Sequence, residues 1–134
     1  MKTSLYKLMI LALVPLILGS CAGNIAASLR KEVEEMKRQC PIDQGDGVIL
    51  TDVNFFETEK ILEYVCSIDD VFYVDEETVA IMKDAMVEAL STETSAFERF
   101  SVKSILKQGY LFRYIFTDID GEMLCSIVIS QNDL

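Results

Sequence analysis

The sequence predicts an α+β domain: an N-terminal helix, then an antiparallel four-stranded sheet in β-β-α-α-β-β order, with two helices packed on one face. Three observations carry this. Apolar and polar residues alternate over 48–56, 60–68, 110–117 and 122–130, the period of a strand. Between the second and third of these runs, apolar residues recur at helical spacing. Polar turn sequences separate the runs within each pair, as hairpins require.

The elements follow in order. Residues 24–39 align Ile25, Leu29, Val33 and Met36 on a narrow apolar stripe, with Lys31/Glu35 and Glu34/Arg38 as i, i+4 pairs, and Pro41 ends this helix. The first two strands are joined through Glu57, Thr58 and Glu59. Beyond Asp69 and Asp70, Asp75 is placed to cap the next helix, with Glu76 and Glu77 in its first turn, where negative charge is favourable. Val79, Met82, Met86 and Leu90 form its core stripe. A further helix over 95–108 turns Phe97, Phe100 and Ile105 inward and ends at Gly109. Asp118, Ile119, Asp120 and Gly121 make the last hairpin turn. The chain thus divides into a leader at 1–20, a connecting segment with an amphipathic helix at 21–46, and a small α+β domain at 47–134.

Alternation assigns the faces of the sheet. Tyr110, Phe112, Tyr114 and Phe116 share one face of one strand, an aromatic row suited to a core beneath helices. Cys66 and Cys125 fall on core-facing positions as well, as small hydrophobes. The opposite face gathers Ile61, Val65, Leu111, Ile115, Leu124 and Val128 among Glu63, Arg113, Ser126 and Ser130. So large an apolar patch is rarely left to water. The helix at 24–39 is expected to fold over it; failing that, these six residues are the candidate partner face.

Composition excludes several functions. Twelve basic residues stand against 22 acidic ones, a net charge of −10 that repels phosphate backbones, so no nucleic-acid partner is expected. Histidine is absent, which removes the commonest general base and the commonest nitrogen ligand for zinc, copper and nickel. The cysteines form no C-x-x-C pair. No catalytic residue, no metal site and no cofactor are therefore expected, and the domain reads as a non-enzymatic structural or interaction module. Two alternatives have some support. The acidic loops around Asp69, Asp70, Asp75, Glu76 and Glu77 suit a small-ligand or divalent-cation binding domain, and paired carboxylates suit a histidine-independent hydrolase. Asp118, Asp120 and Gly121 are similar to the start of a calcium loop, but Ile129 stands where its bidentate glutamate belongs.

The first twenty residues have a different grammar. Lys2 and Lys7 precede an apolar run at 8–18, interrupted by Pro15, and then Gly19 and Ser20 precede Cys21. That order is a signal peptide, and the run is shorter than the roughly 20 residues a membrane-spanning helix needs. Leu18, Gly19, Ser20 and Cys21 together resemble the lipobox of bacterial lipoproteins. The resemblance implies diacylglycerol on the Cys21 sulfur, cleavage just before it, and a stable anchor of two or more acyl chains. It implies a cell-envelope location with the membrane as partner and an envelope protein as a further one. Ala22, where an aspartate would retain the protein at the inner membrane, implies the outer membrane in a Gram-negative host. In its general layout the chain resembles small lipoproteins of Bacteroidota, a likeness that implies no activity.

Overall fold

The computed structural model describes residues 25–45, 47–69, 74–92 and 96–134, apart from the side chains of Phe97 and Glu98. The leader, Cys21, Asp70 and Ser95 lie outside the described residues, as does the Phe97 side chain. Helix α1 spans Ile25–Gln39, β1 Ile42–Gly45, β2 Val48–Phe56, β3 Ile61–Ile68, α2 Glu76–Thr92, α3 Ala96–Lys107, β4 Leu111–Thr117 and β5 Met123–Ile129. A single 3-10 turn at Gln131–Asp133 follows.

Local chemistry sets most of these boundaries. Asp75 caps α2: its Oδ1 accepts the Thr78 backbone N–H at 2.8 Å and the Thr78 hydroxyl at 2.7 Å. Those two hydrogen bonds hold its carboxyl below the ordinary aspartate range. Helix α3 ends at Gly109, whose φ of +93° is costly for any residue with a Cβ. In the β2–β3 turn the left-handed position falls to Lys60, at φ 59°. Its ammonium reaches the Gln108 carbonyl at 2.9 Å and lies 5.4 Å from the centre of the Tyr110 ring, so the side chain satisfies the end of α3. The final turn is organised by Asp118, whose carboxylate accepts the N–H groups of Asp120 at 2.9 Å and Glu122 at 3.0 Å. The stretch similar to a calcium loop is thus a hairpin turn whose first carboxylate holds its own backbone.

The sheet differs from the sequence expectation in two respects. It has five strands in the order β1-β2-β3-β4-β5, and β3 pairs with β4 in parallel while the other neighbours are antiparallel. The parallel pair follows from the two helices between β3 and β4, which carry the chain across one face and back to the same end of the sheet. Alternation cannot report strand direction, because it is identical for both. The additional strand β1 is short, pairs with only the first residues of β2, and has a register shift between Asp43 and Gly45. Four residues with exposures alternating between intermediate and open leave too weak a pattern to see.

One face of the sheet carries the core. Val48, Leu50, Val53, Leu62, Tyr64, Cys66, Ile68, Phe112, Tyr114, Phe116, Ile127 and Ile129 are all buried there. Tyr64 stacks on Tyr114 with ring centres 5.2 Å apart. Met82, Met86, Ala89 and Leu90 of α2, and Val102, Ile105 and Leu106 of α3, close the core from above. Phe100, expected inward, is 71% exposed. It falls off the stripe that Val102, Ile105 and Leu106 define.

The position of α1 also departs from expectation. Leu29 and Val33 are buried in the same cluster as the α2 and α3 residues, with Ile25 and Met36 packed against it. None of the six residues of the opposite face belongs to that cluster. All three described helices therefore lie on one side, α1 along β2 and α2 along β5. Two helices could not cover five strands, and the β2 end of the core face is what α1 seals. Within α1, Glu35 pairs with Arg38 rather than Lys31.

Among the described residues no disulfide forms. Cys66 and Cys125 flank Phe116 from the two neighbouring strands, so about two strand spacings of roughly 4.8 Å part them, more than a bridge spans. Burial pushes the Cys66 thiol up to about 12. A folded value above the unfolded one, near 8.5, means that this contribution to stability is complete below about pH 8.5. It is lost as the pH rises toward 12, at about 1.4 kcal/mol per pH unit. Circular dichroism against pH should show the protein weakening from about pH 9. In Cys66→Ala the onset should move up toward about pH 10, where unfolded tyrosine ionises while burial keeps the Tyr64 and Tyr114 hydroxyls protonated; an unchanged onset would contradict this account.

Candidate functional site

With the helices gathered on one side, the other face of the sheet has no described element over it. Parallel pairing sets Glu63 directly beside Arg113. Glu63 Oε2 accepts from Arg113 Nε at 2.8 Å and Nη2 at 2.6 Å, and Oε1 accepts from Asn54 Nδ2 at 3.1 Å. Although it sits on an outer face, Glu63 is only 7% exposed. The Arg113 guanidinium lies 5.5 Å from the centre of the Phe56 ring, a cation–π contact. On the β2 side, Lys37 of α1 reaches round the strand to donate to Asn54 Oδ1 at 2.7 Å and Asp52 Oδ1 at 2.9 Å. Burial raises the Asp52 carboxyl, but the hydrogen bonds from Lys37 and Val53 N–H and the Lys37 charge outweigh it and hold the group below its ordinary range. A polar seam thus crosses the face from Lys37 through Asn54 and Glu63 to Arg113.

The six candidate residues border this seam. Ile61 pairs with Leu111 and Val65 with Ile115, which puts four of them side by side on β3 and β4. These four are half-buried, as is Leu124, and Val128 is 37% exposed beside Arg113. The register slips between Phe116 and Thr117, leaving Leu124 with no Cα partner in β4. The structure therefore brings the six to one face around an ion pair, and leaves all of them in contact with solvent.

Sequence reasoning missed Asp52, Asn54, Phe56 and Lys37 as members of this face. The signal for three of them was present. A register shift between Leu50 and Asp52 switches the parity of β2, so that Val48 and Leu50 face the core before it and Val53 and Phe55 after it. That break in alternation is legible in the sequence and transfers Asp52, Asn54 and Phe56 to the outer face. Lys37 offered no such signal, because its role depends on where α1 docks.

Two carboxylates meet in the seam. Asp52 and Glu63 both accept from Asn54 Nδ2, at 3.4 and 3.1 Å, but a carboxyl serving as general acid must stay protonated near neutral pH. The Lys37 ammonium and the Val53 N–H hold the Asp52 carboxyl below its ordinary range, so Asp52 is not placed to be that acid. Among the described residues no group of three or more Cys, Asp or Glu side chains is placed to hold a metal ion. No described helix is long and apolar enough to cross a membrane.

No known protein family matches the chain, and no curated protein sequence does. Solved structures do. The fold is similar to that of a pilotin. AspS, the type II secretion system pilotin of Vibrio cholerae, aligns over 78% of this chain and 86% of its own, with a TM-score of 0.51 and 9% identity. The pilotin EpsS of the Vibrio vulnificus type 2 secretion system aligns over 77% and 84%, with a TM-score of 0.50 and 15% identity. A secreted protein of Pseudomonas aeruginosa aligns over 86% of this chain and 98% of its own, with a TM-score of 0.51 and 12% identity. At these identities the shared feature is the fold.

Proposed function

We propose that this chain is a lipid-anchored protein of the bacterial envelope, lipidated at Cys21, whose domain is a non-catalytic module that binds another envelope protein through the open sheet face. The observation that carries the reading is the face itself: Ile61, Val65, Leu111, Ile115, Leu124 and Val128 border a Glu63–Arg113 pair whose carboxylate is buried, while every described helix lies on the other side. Fold likeness to pilotins of type II secretion systems supports an envelope protein that works by binding. The occupant is an amphipathic segment with cationic flanks. Its apolar side covers the six residues, and its charge answers the acidic turns at the strand ends, Glu59 before β3 and Asp118, Asp120 and Glu122 between β4 and β5.

The test is made in intact cells. A photo-crosslinking residue is placed at Val65 or Ile115, with Ile81 on the exposed side of α2 as control. The face positions should give one discrete crosslinked species that the control lacks and that Ile115→Asp abolishes. The mass of the membrane-extracted chain should exceed that of residues 21–134 by the acyl groups. Crosslinks equal in pattern from Val65 and Ile81 would overturn the binding face, and a mature chain without added mass would overturn the anchor.

A further inference from the structure

The two edges of the sheet are treated very differently. At the first, β1 is short and broken by a register shift. Beyond its end α1 runs along β2, with the Lys37 ammonium 3.4 Å from the Val53 carbonyl. These are the devices by which proteins stop an edge from pairing with another chain. The other edge has them only in part: β5 slips register once, at Leu124, and α2 lies along it from the core side. Strand β5 has no further strand beside it among the described residues, and its sequence, Met-Leu-Cys-Ser-Ile-Val-Ile, has no charge, proline or glycine. From Cys125 to Ile129 it keeps unbroken register with β4, so its outer backbone groups form a regular ladder about 17 Å long.

Charge at the two ends of β5 indicates what pairs with it. Its start carries the exposed acidic turn of Asp120 and Glu122. Its end runs into Gln131 and Asn132, which line an open pocket of about 470 Å³ with Lys103, Lys107, Leu106 and Leu134. Of the six basic residues from position 41 onward, Lys60, Lys83, Arg99 and Arg113 are all engaged within the described structure. Lys103 and Lys107 have no ion-pair or hydrogen-bond partner among the described residues, and both stand at this end. The edge is therefore acidic where it begins and basic where it finishes. An antiparallel copy of the same strand reverses that order.

We propose that two copies of this chain pair through β5, antiparallel about Ile127, to form one continuous ten-stranded sheet. In this register Ser126 lies opposite Val128 of the second copy and Cys125 opposite Ile129. Glu122 then meets the Asn132 end, beside Lys103 and Lys107, and symmetry makes each contact twice. Overall acidity opposes association, and the matched ends offset it locally. The two outer faces become one, with Leu124 and Val128 of both copies at its centre. The pairing rests on the β5 edge and does not depend on the sheet-face reading.

Sedimentation of the intact chain as purified should show a monomer–dimer equilibrium. Glu122→Lys or Lys107→Glu should each weaken the dimer about tenfold, since an exposed pair contributes up to about 1 kcal/mol and each is present twice. The two changes combined should restore it. Ser126→Lys places a charge at the edge and should give a monomer with an unchanged circular dichroism spectrum. Protein with Ser126→Cys should crosslink on mixing with protein carrying Val128→Cys, and Ser67→Cys should not. A wild type that stays monomeric at about 100 μM, near the weak limit of specific dimers, would overturn the proposal. So would a dimer indifferent to Ser126→Lys.

Discussion

Replacing Arg113 with methionine is expected to cost about 2–4 kcal/mol of stability, because it leaves the Glu63 carboxylate buried without its counter-charge. The loss is at the lower part of the range for buried pairs because the Arg113 side chain keeps 31% of its surface in solvent. Asn54 cannot compensate, since it supplies one neutral hydrogen bond where arginine supplied two charged ones. Combining Arg113→Met with Glu63→Leu should return the protein to within about 1 kcal/mol of wild type, as apolar side chains of similar size replace the pair. Urea unfolding of the four proteins gives the cycle. A cost below about 0.5 kcal/mol for Arg113→Met, the level of an exposed ion pair, would show that the face is more hydrated than described. The double variant also separates two roles: if the pair matters for binding rather than folding, the protein recovers its stability and not its partner.

Deleting residues 24–39 is expected to unfold the domain or drive it to aggregate. Leu29 is 2% exposed and Val33 5%, and both share one cluster with the α2 and α3 side chains. Leu29→Ala alone should cost about 2–4 kcal/mol, the range for a truncated buried leucine, out of a total stability of roughly 5–15 kcal/mol. The deletion also removes Lys37 from Asp52 and Arg30 from Glu57, where the guanidinium contacts both carboxylate oxygens at 2.7 Å. An equally stable monomer after deletion would mean that α1 is a detachable stalk. If the anchor is at Cys21, the docked helix pins the core close to the bilayer and leaves the opposite sheet face available.

Much of this fold was legible from periodicity. The spans of α1, α3 and the four longer strands lie within a residue of the alternation and stripe patterns, α2 contains its expected stripe, and Asp75 and Gly109 mark helix ends as their chemistry requires. What escaped was relational. Strand direction between β3 and β4, and the face chosen by α1, leave no trace in the hydrophobic pattern of either element, since the same stripe serves any apolar surface. That the six candidate residues share a face was legible because alternation assigns them together. Their arrangement around an ion pair was not, because Glu63 and Arg113 become neighbours only once the strands run parallel.

That parallel join has a kinetic meaning. The β2–β3 and β4–β5 hairpins each close through a few residues, whereas β3 and β4 are joined through the long connection in which α2 and α3 fold. Closing so long a loop costs entropy before any contact repays it, which makes this the slow step of assembly. Until it is complete, β3 and β4 are both uncovered edges, and the folding chain is most exposed to misassembly at its own centre. The Lys60–Gln108 contact and the Glu63–Arg113 pair both span that join, so they report on its completion: amide exchange at Leu111, whose N–H bonds to the Lys60 carbonyl at 2.8 Å, marks the moment when two hairpins become one sheet.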